Sequence, residues 1–261
     1  MAFHTKEIFF RNDDVRDKLD DSLTGLTELC IRHGVPISHA VEPGNVSDEV
    51  VRWIISVKKQ HPELIEIIQH GYNHNLANPS QKMEFGGNRG YQDQMQDMQK
   101  GKELMDKYFG DLWSPVFTFP YGTYNQASLK ALDNLGYKAI SSKMQFSLKV
   151  RLKNLIGKSL GQDTLMGKKI NYHPAVRKGY HFREISVSAN LIKKYTGESQ
   201  ADHFSLAEII GQVELASNYT DIIGVLFHHR FHRDYLKLTE DLILYLKKNG
   251  YSFKTISGII S

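Results

Sequence analysis

The feature that most constrains this chain is a regular alternation of short apolar segments with longer amphipathic ones. The short segments predict strands over Glu7–Arg11, Pro36–Val41, Leu64–Gln69, Val116–Phe119, Lys138–Ser141, Glu184–Ser188, Asp221–Phe227 and Tyr251–Lys254. The amphipathic segments predict helices over Asp14–Arg32, Asp48–Gln60, Tyr91–Tyr108, Gln126–Leu135, Ser205–Ser217 and Tyr235–Lys248, with a short helix after the last strand. Helices that connect successive strands are typical of parallel sheets. The pattern therefore predicts an α/β fold, either a closed barrel or an open doubly wound sheet.

Length and composition predict a single domain over residues 1–261. The chain is 41% hydrophobic and 24% charged, and it contains neither an internal repeat nor a recognisable linker. It has no segment of signal-peptide or membrane-spanning length, which predicts a cytoplasmic protein without an integral membrane segment. Its net charge of +4 is dispersed, which argues against a nucleic-acid partner. No pattern indicates an oligomeric state, and the single Cys30 excludes an intrachain disulfide.

Polar residues are concentrated where four of the predicted strands end. These clusters are Arg11–Asp14, His70–His74, Phe119–Gly122 and His228–Arg230. In parallel α/β folds the C-terminal ends of the strands lie on one face, and functional groups collect there. The four clusters are therefore expected to meet in space. No glycine-rich phosphate loop follows any predicted strand, so nucleotide binding at this face is not indicated.

Three of these clusters have a structural alternative when each is taken alone. Asp13 and Asp14 could cap a following helix, because carboxylates favour helix N-termini. His70 and His74 could be purely structural, although in a helix or in a tight turn they could bind one metal ion, and His228 could be a surface residue. Taken together, one carboxylate and two imidazoles form an open metal-ligand set. A second carboxylate and a further imidazole would supply a general base and a general acid. The combination favours a metal-dependent hydrolase.

These ordered clusters resemble the motifs of the polysaccharide deacetylases, carbohydrate esterase family four, with its NodB homology domain. Asp13-Asp14 resembles the first motif and His70-xxx-His74 the second. Pro120-Tyr121-Gly122 resembles the third motif, and Leu226-Phe227-His228 resembles the fifth. The resemblance implies a deformed (β/α) barrel of about seven parallel strands, similar to a TIM barrel.

The resemblance also implies roles for the charged residues. Asp14, His70 and His74 would bind one divalent metal ion, with Zn²⁺ preferred and Co²⁺, Ni²⁺ or Mn²⁺ as alternatives. Asp13 would act as the base that deprotonates the attacking water, and His228 would protonate the leaving amine. The implied activity is removal of an N-acetyl or similar small acyl group from an amino sugar or glycan.

The remaining implied roles concern substrate contacts. The backbone N–H of Tyr121, in the turn with Pro120 and Gly122, would stabilise the oxyanion, and Leu226 would line the acyl-methyl pocket. Two alternatives stay open. The chain could be an amidohydrolase that acts on a small non-sugar amide, or a non-catalytic glycan-binding domain of the same fold.

The sequence departs from the family pattern at two places. The third motif usually has an arginine two residues before its proline, where it orients the catalytic base, and this chain has Thr118 there. Our hypothesis is that Arg11 replaces it, since residues two apart share one face of a strand; Arg230 is the rival. The acidic fourth motif has no clear match, because Glu184 and Asp163 are poor substitutes.

Overall fold

The computed structural model describes residues 6–74, 83–144, 179–197, 200–231 and 235–261, together with residues 146, 152, 155 and 156. Its strands are β1 Glu7–Val15, β2 Ile37–Val41, β3 Ile65–His70, β4 Trp113–Thr118, β5 Ala139–Ser141, β6 Arg183–Glu184, β7 Val187–Asn190, β8 Ile192–Tyr195, β9 Ala201–His203, β10 Ile222–Phe227 and β11 Ser252–Phe253. Its helices are α1 Asp21–Arg32, α2 Asp48–Gln60, α3 Tyr91–Phe109, α4 Gln126–Asn134, α5 Leu206–Ser217, α6 Leu236–Lys248 and α7 Ile256–Ile260.

The large sheet is parallel and curls into a deformed barrel. Its strand order is β6-β5-β4-β3-β2-β1-β10-β7, and β11 pairs with β1 beside this path. β6 pairs with β5, while β7 pairs with β10 at the opposite edge. Val187 of β7 also bonds the backbone that follows β5, donating to Ser142 O at 2.9 Å and accepting from Met144 N at 2.7 Å. Residues 183–190 therefore act as one interrupted strand between the two edges, and the predicted barrel is confirmed.

Alternate residues of β1 serve the two sides of the barrel wall. Ile8 and Phe10 pack in the cluster that contains α1 residues Leu26 and Cys30. Phe9 packs in a different cluster, built from β-strand residues and from α7. A strand places successive side chains on opposite faces, so Arg11 and Asp13 follow Phe9 toward the barrel interior. This parity places the charged end of β1 inside the upper barrel.

The predicted start of the first helix was wrong. The strand continues through Asp14 to Val15, and α1 begins only at Asp21. Asp20 caps α1, and its carboxylate accepts from the backbone N–H groups of Ser22 at 3.0 Å and Leu23 at 2.9 Å. Asp13 and Asp14 therefore belong to a strand and not to a helix cap.

Two further elements differ from the prediction. The predicted strand over Glu184–Ser188 is divided into β6 and β7, and the antiparallel hairpin of β8 and β9 was not predicted.

The longest of the described helices, α3, has a polar sequence. Within the described part of the chain, no helix combines the length and the apolar character that crossing a bilayer requires.

Candidate active site

A β-bulge brings two consecutive carboxylates to the same cavity. Between Asn12 and Val15, β1 advances three residues while its partner β2 advances two, so β1 carries one extra residue. Asp14 adopts a left-handed conformation there, with φ of 62°. In a regular strand, neighbours point to opposite faces. The bulge removes this constraint, and both Asp13 and Asp14 line the cavity.

Asp14, His70 and His74 form a compact set of metal-ligand atoms. Their donor atoms all lie within 4.8 Å of one another. Asp14 Oδ1 is 3.3 Å from His70 Nε2 and 3.5 Å from His74 Nε2. One carboxylate and two imidazoles suit a single Zn²⁺ or similar divalent ion and leave coordination positions open. The chemistry and spacing of these residues therefore fit the metal that the sequence predicts.

Thr118 fixes the orientation of the His70 ring. Thr118 Oγ1 lies 2.5 Å from His70 Nδ1 and 3.3 Å from the carbonyl oxygen of Gln69. Because a carbonyl can only accept, the Thr118 hydroxyl donates to Gln69 and accepts from Nδ1–H of His70. This assignment leaves Nε2, the nitrogen that faces Asp14, as the one that a metal ion can bind in place of a proton, as in metal sites whose histidines are held by a second partner.

Asp14, His70 and His74 perturb one another's pKa. Burial raises the pKa of Asp14, but the hydrogen bond from His70 and the neighbouring imidazoles hold it well below its usual range. Burial lowers the pKa of His74 to about 4 against the opposing charge of Asp14. Burial also lowers the pKa of His70, but the charges of Asp13 and Asp14 outweigh burial and raise it. Asp14 and His74 are thus in the protonation states that metal binding needs at neutral pH.

Arg11 holds Asp13 in a buried ion pair. Its guanidinium donates to Asp13 Oδ2 at 2.8 Å and to the carbonyl and hydroxyl oxygens of Ser141 at 2.6 and 2.9 Å. Asp13 is 3% exposed, and its Oδ1 has no hydrogen-bond partner among the described residues. Arg230, the rival in our hypothesis, pairs with Asp17 at 2.7 Å. The guanidinium beside Asp13 is therefore that of Arg11.

The opposite face of β1 carries a neutral polar network. Asn12 Nδ2 lies 3.2 Å from Nδ1 of His39, and Nε2 of His39 lies 3.2 Å from the Thr27 hydroxyl. Thr27 donates to Leu23 O at 2.7 Å, so it accepts from His39 Nε2–H, and the His39 ring is neutral. Burial lowers the pKa of His39 to about 3. Asn12 Oδ1 also accepts from the backbone N–H of His229 at 2.9 Å, which fixes the chain beside His228.

The four predicted clusters surround one cavity of about 640 Å³. Besides the carboxylates and metal-site imidazoles, its walls include Arg11, Tyr121, Gly122, Leu226, His228 and Tyr195. Pro120 is buried in the same turn as Tyr121 and Gly122. The structure thus brings the predicted site residues together around this cavity.

The turn that carries Tyr121 is unusual in its backbone. Tyr121 has φ of 57°, and its ring centroid lies 4.3 Å from that of His74. Its hydroxyl donates to the carbonyl of His74 at 3.2 Å. Among the described residues other than glycine, only Asp14, His74 and Tyr121 have a left-handed φ. Such strain tends to accumulate at functional sites.

Two residues near the site were missed by the sequence interpretation. Tyr195, on the unpredicted hairpin, places its hydroxyl 3.4 Å from His228 Nε2 and 3.5 Å from Nδ1. Glu84 accepts hydrogen bonds from the backbone of the His70–His74 turn.

Glu184, weighed as an acidic fourth motif, accepts a hydrogen bond from the Ser142 hydroxyl at 2.6 Å. Asp163, also weighed for that motif, lies outside the described residues.

Comparison with known proteins agrees with this fold. Residues 41–140 match the family model described as polysaccharide deacetylase. A family 4 acetyl xylan esterase from Clostridium thermocellum, in complex with a cobalt ion, aligns with a TM-score of 0.58 and 12% identity, covering 97% of this chain and 89% of that chain. The catalytic domain of a peptidoglycan N-acetylglucosamine deacetylase from Eubacterium rectale aligns with a TM-score of 0.53 and 14% identity, covering 97% of this chain and 89% of that chain.

A family 4 carbohydrate esterase from Streptomyces lividans, in complex with acetate, aligns with a TM-score of 0.56 and 11% identity, covering 97% of this chain and 94% of that chain. At these identities the likeness concerns the fold. No sequence in the curated set of proteins matches this chain significantly.

The curled parallel sheet and the matched segment define a deacetylase-type barrel. Over residues 41–140 the chain is similar to the polysaccharide deacetylase family, and its fold is that of the family 4 carbohydrate esterases. This family match, together with the fold, supports a hydrolase that deacetylates carbohydrates.

Proposed function

We propose that this chain uses a divalent metal ion to hydrolyse an N-acetyl or similar small acyl group from an amino sugar or glycan. The observation that supports this most directly is the state of Asp13. It lies beside a complete set of metal ligands, it is almost fully buried, and one of its oxygens has no partner among the described residues. Buried polar atoms are normally satisfied, and exceptions favour a functional explanation.

Asp14, His70 and His74 would hold the cation, with Zn²⁺ preferred. When bound, the cation supplies Lewis acidity, which polarises the acyl carbonyl and makes hydroxide available near neutral pH. Thr118 contributes by presenting Nε2 of His70 to this site.

Asp13 acts as the general base and takes a proton from the attacking water. Arg11 occupies Oδ2, so Oδ1 is the oxygen that can receive the proton. The pair fixes the orientation of the carboxylate in the way that the family's third-motif arginine is expected to do. General-base catalysis of this type contributes roughly 10²–10⁴-fold in rate.

Residues on the opposite side of the cavity protonate the leaving amine and contact the acyl group. His228 donates a proton to the amine nitrogen as the C–N bond breaks, which balances the proton taken by Asp13. The backbone N–H of Tyr121, in the turn with Pro120 and Gly122, stabilises the oxyanion, a contribution of roughly 3–4 kcal/mol in other hydrolases. Leu226 packs against the acyl methyl group.

The rest of the cavity wall suits a sugar ring. Phe119, Tyr121, Tyr195 and Phe231 line it together with the polar residues. Aromatic rings present flat apolar surfaces with polar edges, which match the faces of a pyranose. This aromatic lining favours the sugar substrate over a small non-sugar amide.

The test measures metal and acetate in the same preparations. The purified chain should contain a stoichiometric divalent metal, and it should release acetate from N-acetylglucosamine or its oligomers. His70→Ala should lose the metal while remaining folded. Asp13→Asn should keep the metal and lose hydrolysis. Asp17→Asn, which changes a half-exposed acid paired with Arg230, is the matched control and should keep both.

Three results would overturn the proposal or part of it. A parent protein with neither metal nor acetate release would favour a non-catalytic glycan-binding domain. Hydrolysis of small non-sugar amides alone would favour the amidohydrolase. Full activity in Asp13→Asn would remove Asp13 from the role of base.

A further inference from the structure

The turn that carries both metal-site histidines is held by a carboxylate outside the proposed site. Glu84 Oε1 accepts from the backbone N–H groups of Tyr72 and Asn73, each at 2.8 Å. Its Oε2 accepts from the backbone N–H of His74 at 3.2 Å. Glu84 is 0% exposed. One buried carboxylate therefore satisfies three consecutive amides of the turn.

Consecutive N–H groups that point inward form an anion-binding concavity, and a carboxylate is a natural occupant. This concavity depends on an unusual backbone, because Gly71 and His74 both have φ of 59°. The same conformation directs the His74 imidazole toward Asp14. The bonds to Glu84 thus stabilise the backbone state in which His74 can act as a ligand.

The other side of the turn is also fixed. The backbone N–H of Gly44 donates to Tyr72 O at 2.8 Å, and Asn45 Nδ2 donates to Asn73 O at 2.6 Å. The amides of residues 72–74 are therefore bound by Glu84, and the carbonyls of Tyr72 and Asn73 are bound from the other side.

The fit between the turn and Glu84 leaves no space for a side chain at position 71. A Cβ added to Gly71 would lie 2.2 Å from Glu84 Oε2 and 2.4 Å from Pro120 Cγ. Glu84 is itself anchored, since its carbonyl accepts from Arg89 and the adjacent Phe85 packs in the core. The segment of Glu84 and Phe85 is thus held in place by its own contacts, and this fixes the position of the carboxylate beside the turn.

We propose that Glu84 is a positioning residue of the metal centre, whose carboxylate sets metal affinity by holding the His70–His74 turn. This inference rests on the metal-dependent function proposed above. Replacing the carboxylate with an amide would place an NH₂ donor against backbone N–H donors, so Glu84→Gln cannot satisfy all three amides.

The chain offers a matched control in Glu66. Glu66 is also buried, at 2% exposure, and its carboxylate also accepts from two backbone N–H groups, those of Ile256 at 2.9 Å and Ser257 at 2.8 Å. These contacts are with α7 and not with the metal-site turn. Glu66→Gln therefore tests the general cost of disturbing a buried carboxylate that binds amides.

The experiment measures Zn²⁺ and Co²⁺ affinity by chelator competition in the full chain, with folding checked by circular dichroism. Glu84→Gln should bind both metals about 10–100-fold more weakly, as expected for the loss of a partner that orients a ligand. Glu66→Gln should match the parent in affinity. Metal-free Glu84→Gln should also show faster hydrogen exchange at the amides of residues 72–74.

The outcomes separate this inference from the proposed function. A parent that binds neither metal refutes the proposed function and this inference with it. A parent that binds metal, together with a folded Glu84→Gln of equal affinity, refutes the inference alone. If Glu84→Gln does not fold, Glu84→Asp carries the same measurement, because it keeps the charge but withdraws the oxygens from the turn. Unchanged affinity in Glu84→Asp would then refute the inference.

Discussion

The buried ion pair between Arg11 and Asp13 allows a quantitative test of how this site is held together. Their side chains are 4% and 5% exposed. In Arg11→Met the shape is approximately kept, but the Asp13 carboxylate loses its cation, and its other oxygen already has no partner among the described residues. Stranding a buried charge in this way costs about 3–5 kcal/mol in the free energy of unfolding. This cost includes the hydrogen bonds to Ser141, which are lost together with the guanidinium.

The same change should cost much less when position 13 is already neutral. In an Asp13→Asn background no charge is stranded, and Arg11→Met removes mainly the hydrogen bonds to Ser141, worth roughly 1–2 kcal/mol. The expected coupling between the two positions is therefore about 2–3 kcal/mol. This value is obtained from the parent, the two single variants and the double variant.

Urea unfolding of the four proteins in the presence of a chelator measures this coupling. Tryptophan fluorescence and circular dichroism should give coincident transitions and similar m-values, so that differences in midpoint report stability. Equal costs of Arg11→Met in the two backgrounds would refute the reasoning, because they would show that Arg11 does not neutralise Asp13. The double variant should recover stability but not hydrolysis, which separates the structural and chemical roles of Asp13.

Three further predictions concern individual contacts. Thr118→Val should weaken Zn²⁺ binding about 10–100-fold in chelator competition, because it leaves the Nδ1–H of His70 without its acceptor, whereas Thr118→Ser should keep most of the affinity; equal affinities would contradict this. Gly71→Ala should lower the thermal midpoint more than Gly34→Ala, since both glycines have φ of 59° but only the Cβ at position 71 would meet other atoms within 4 Å; equal losses would contradict the steric argument. Below about pH 6.5 unfolded His39 binds a proton, whereas the folded ring, with its pKa lowered to about 3, stays neutral, so the unfolding free energy should fall by up to about 1.4 kcal/mol per pH unit between about pH 6.5 and 3. A His39→Gln variant should flatten this pH dependence in urea titrations, and an unchanged slope would contradict the prediction.

Much of the fold was predictable because the apolar period is strong where strands and helices are long and buried. The helix over Asp48–Gln60 has the predicted bounds, and β2, β3 and β10 lie within a residue of their predicted ends. Parallel strands also explain why the ends of distant segments meet, which predicted that the clusters would converge, while the family resemblance implied which residues form the ligand set. The proximity of Asp14, His70 and His74 in the structure agrees with that reasoning.

Other features carry little local signal. β8 has one buried residue followed by three exposed ones, so it lacks the apolar alternation that marks a strand, and Tyr195 was missed with it. The interrupted strand of residues 183–190 is recognisable only from its pairing with both sheet edges. Glu84 lies in a polar stretch, and its contacts are with a turn 10 to 12 residues earlier in the chain, which no helix or strand period indicates. The glycine at position 71 was the only sequence signal that this turn is tight.

The end of β1 shows why a local rule failed at the site itself. Two adjacent carboxylates before an amphipathic segment favour a helix cap, and regular alternation would separate Asp13 and Asp14 onto opposite faces. The chain instead inserts one residue and places Asp14 in a left-handed conformation that a residue other than glycine adopts at a cost of about 1–3 kcal/mol. This arrangement would let the proposed base and the proposed metal ligand occupy consecutive positions. A departure from local preference that a buried, charged network maintains is what a functional constraint on the backbone should produce.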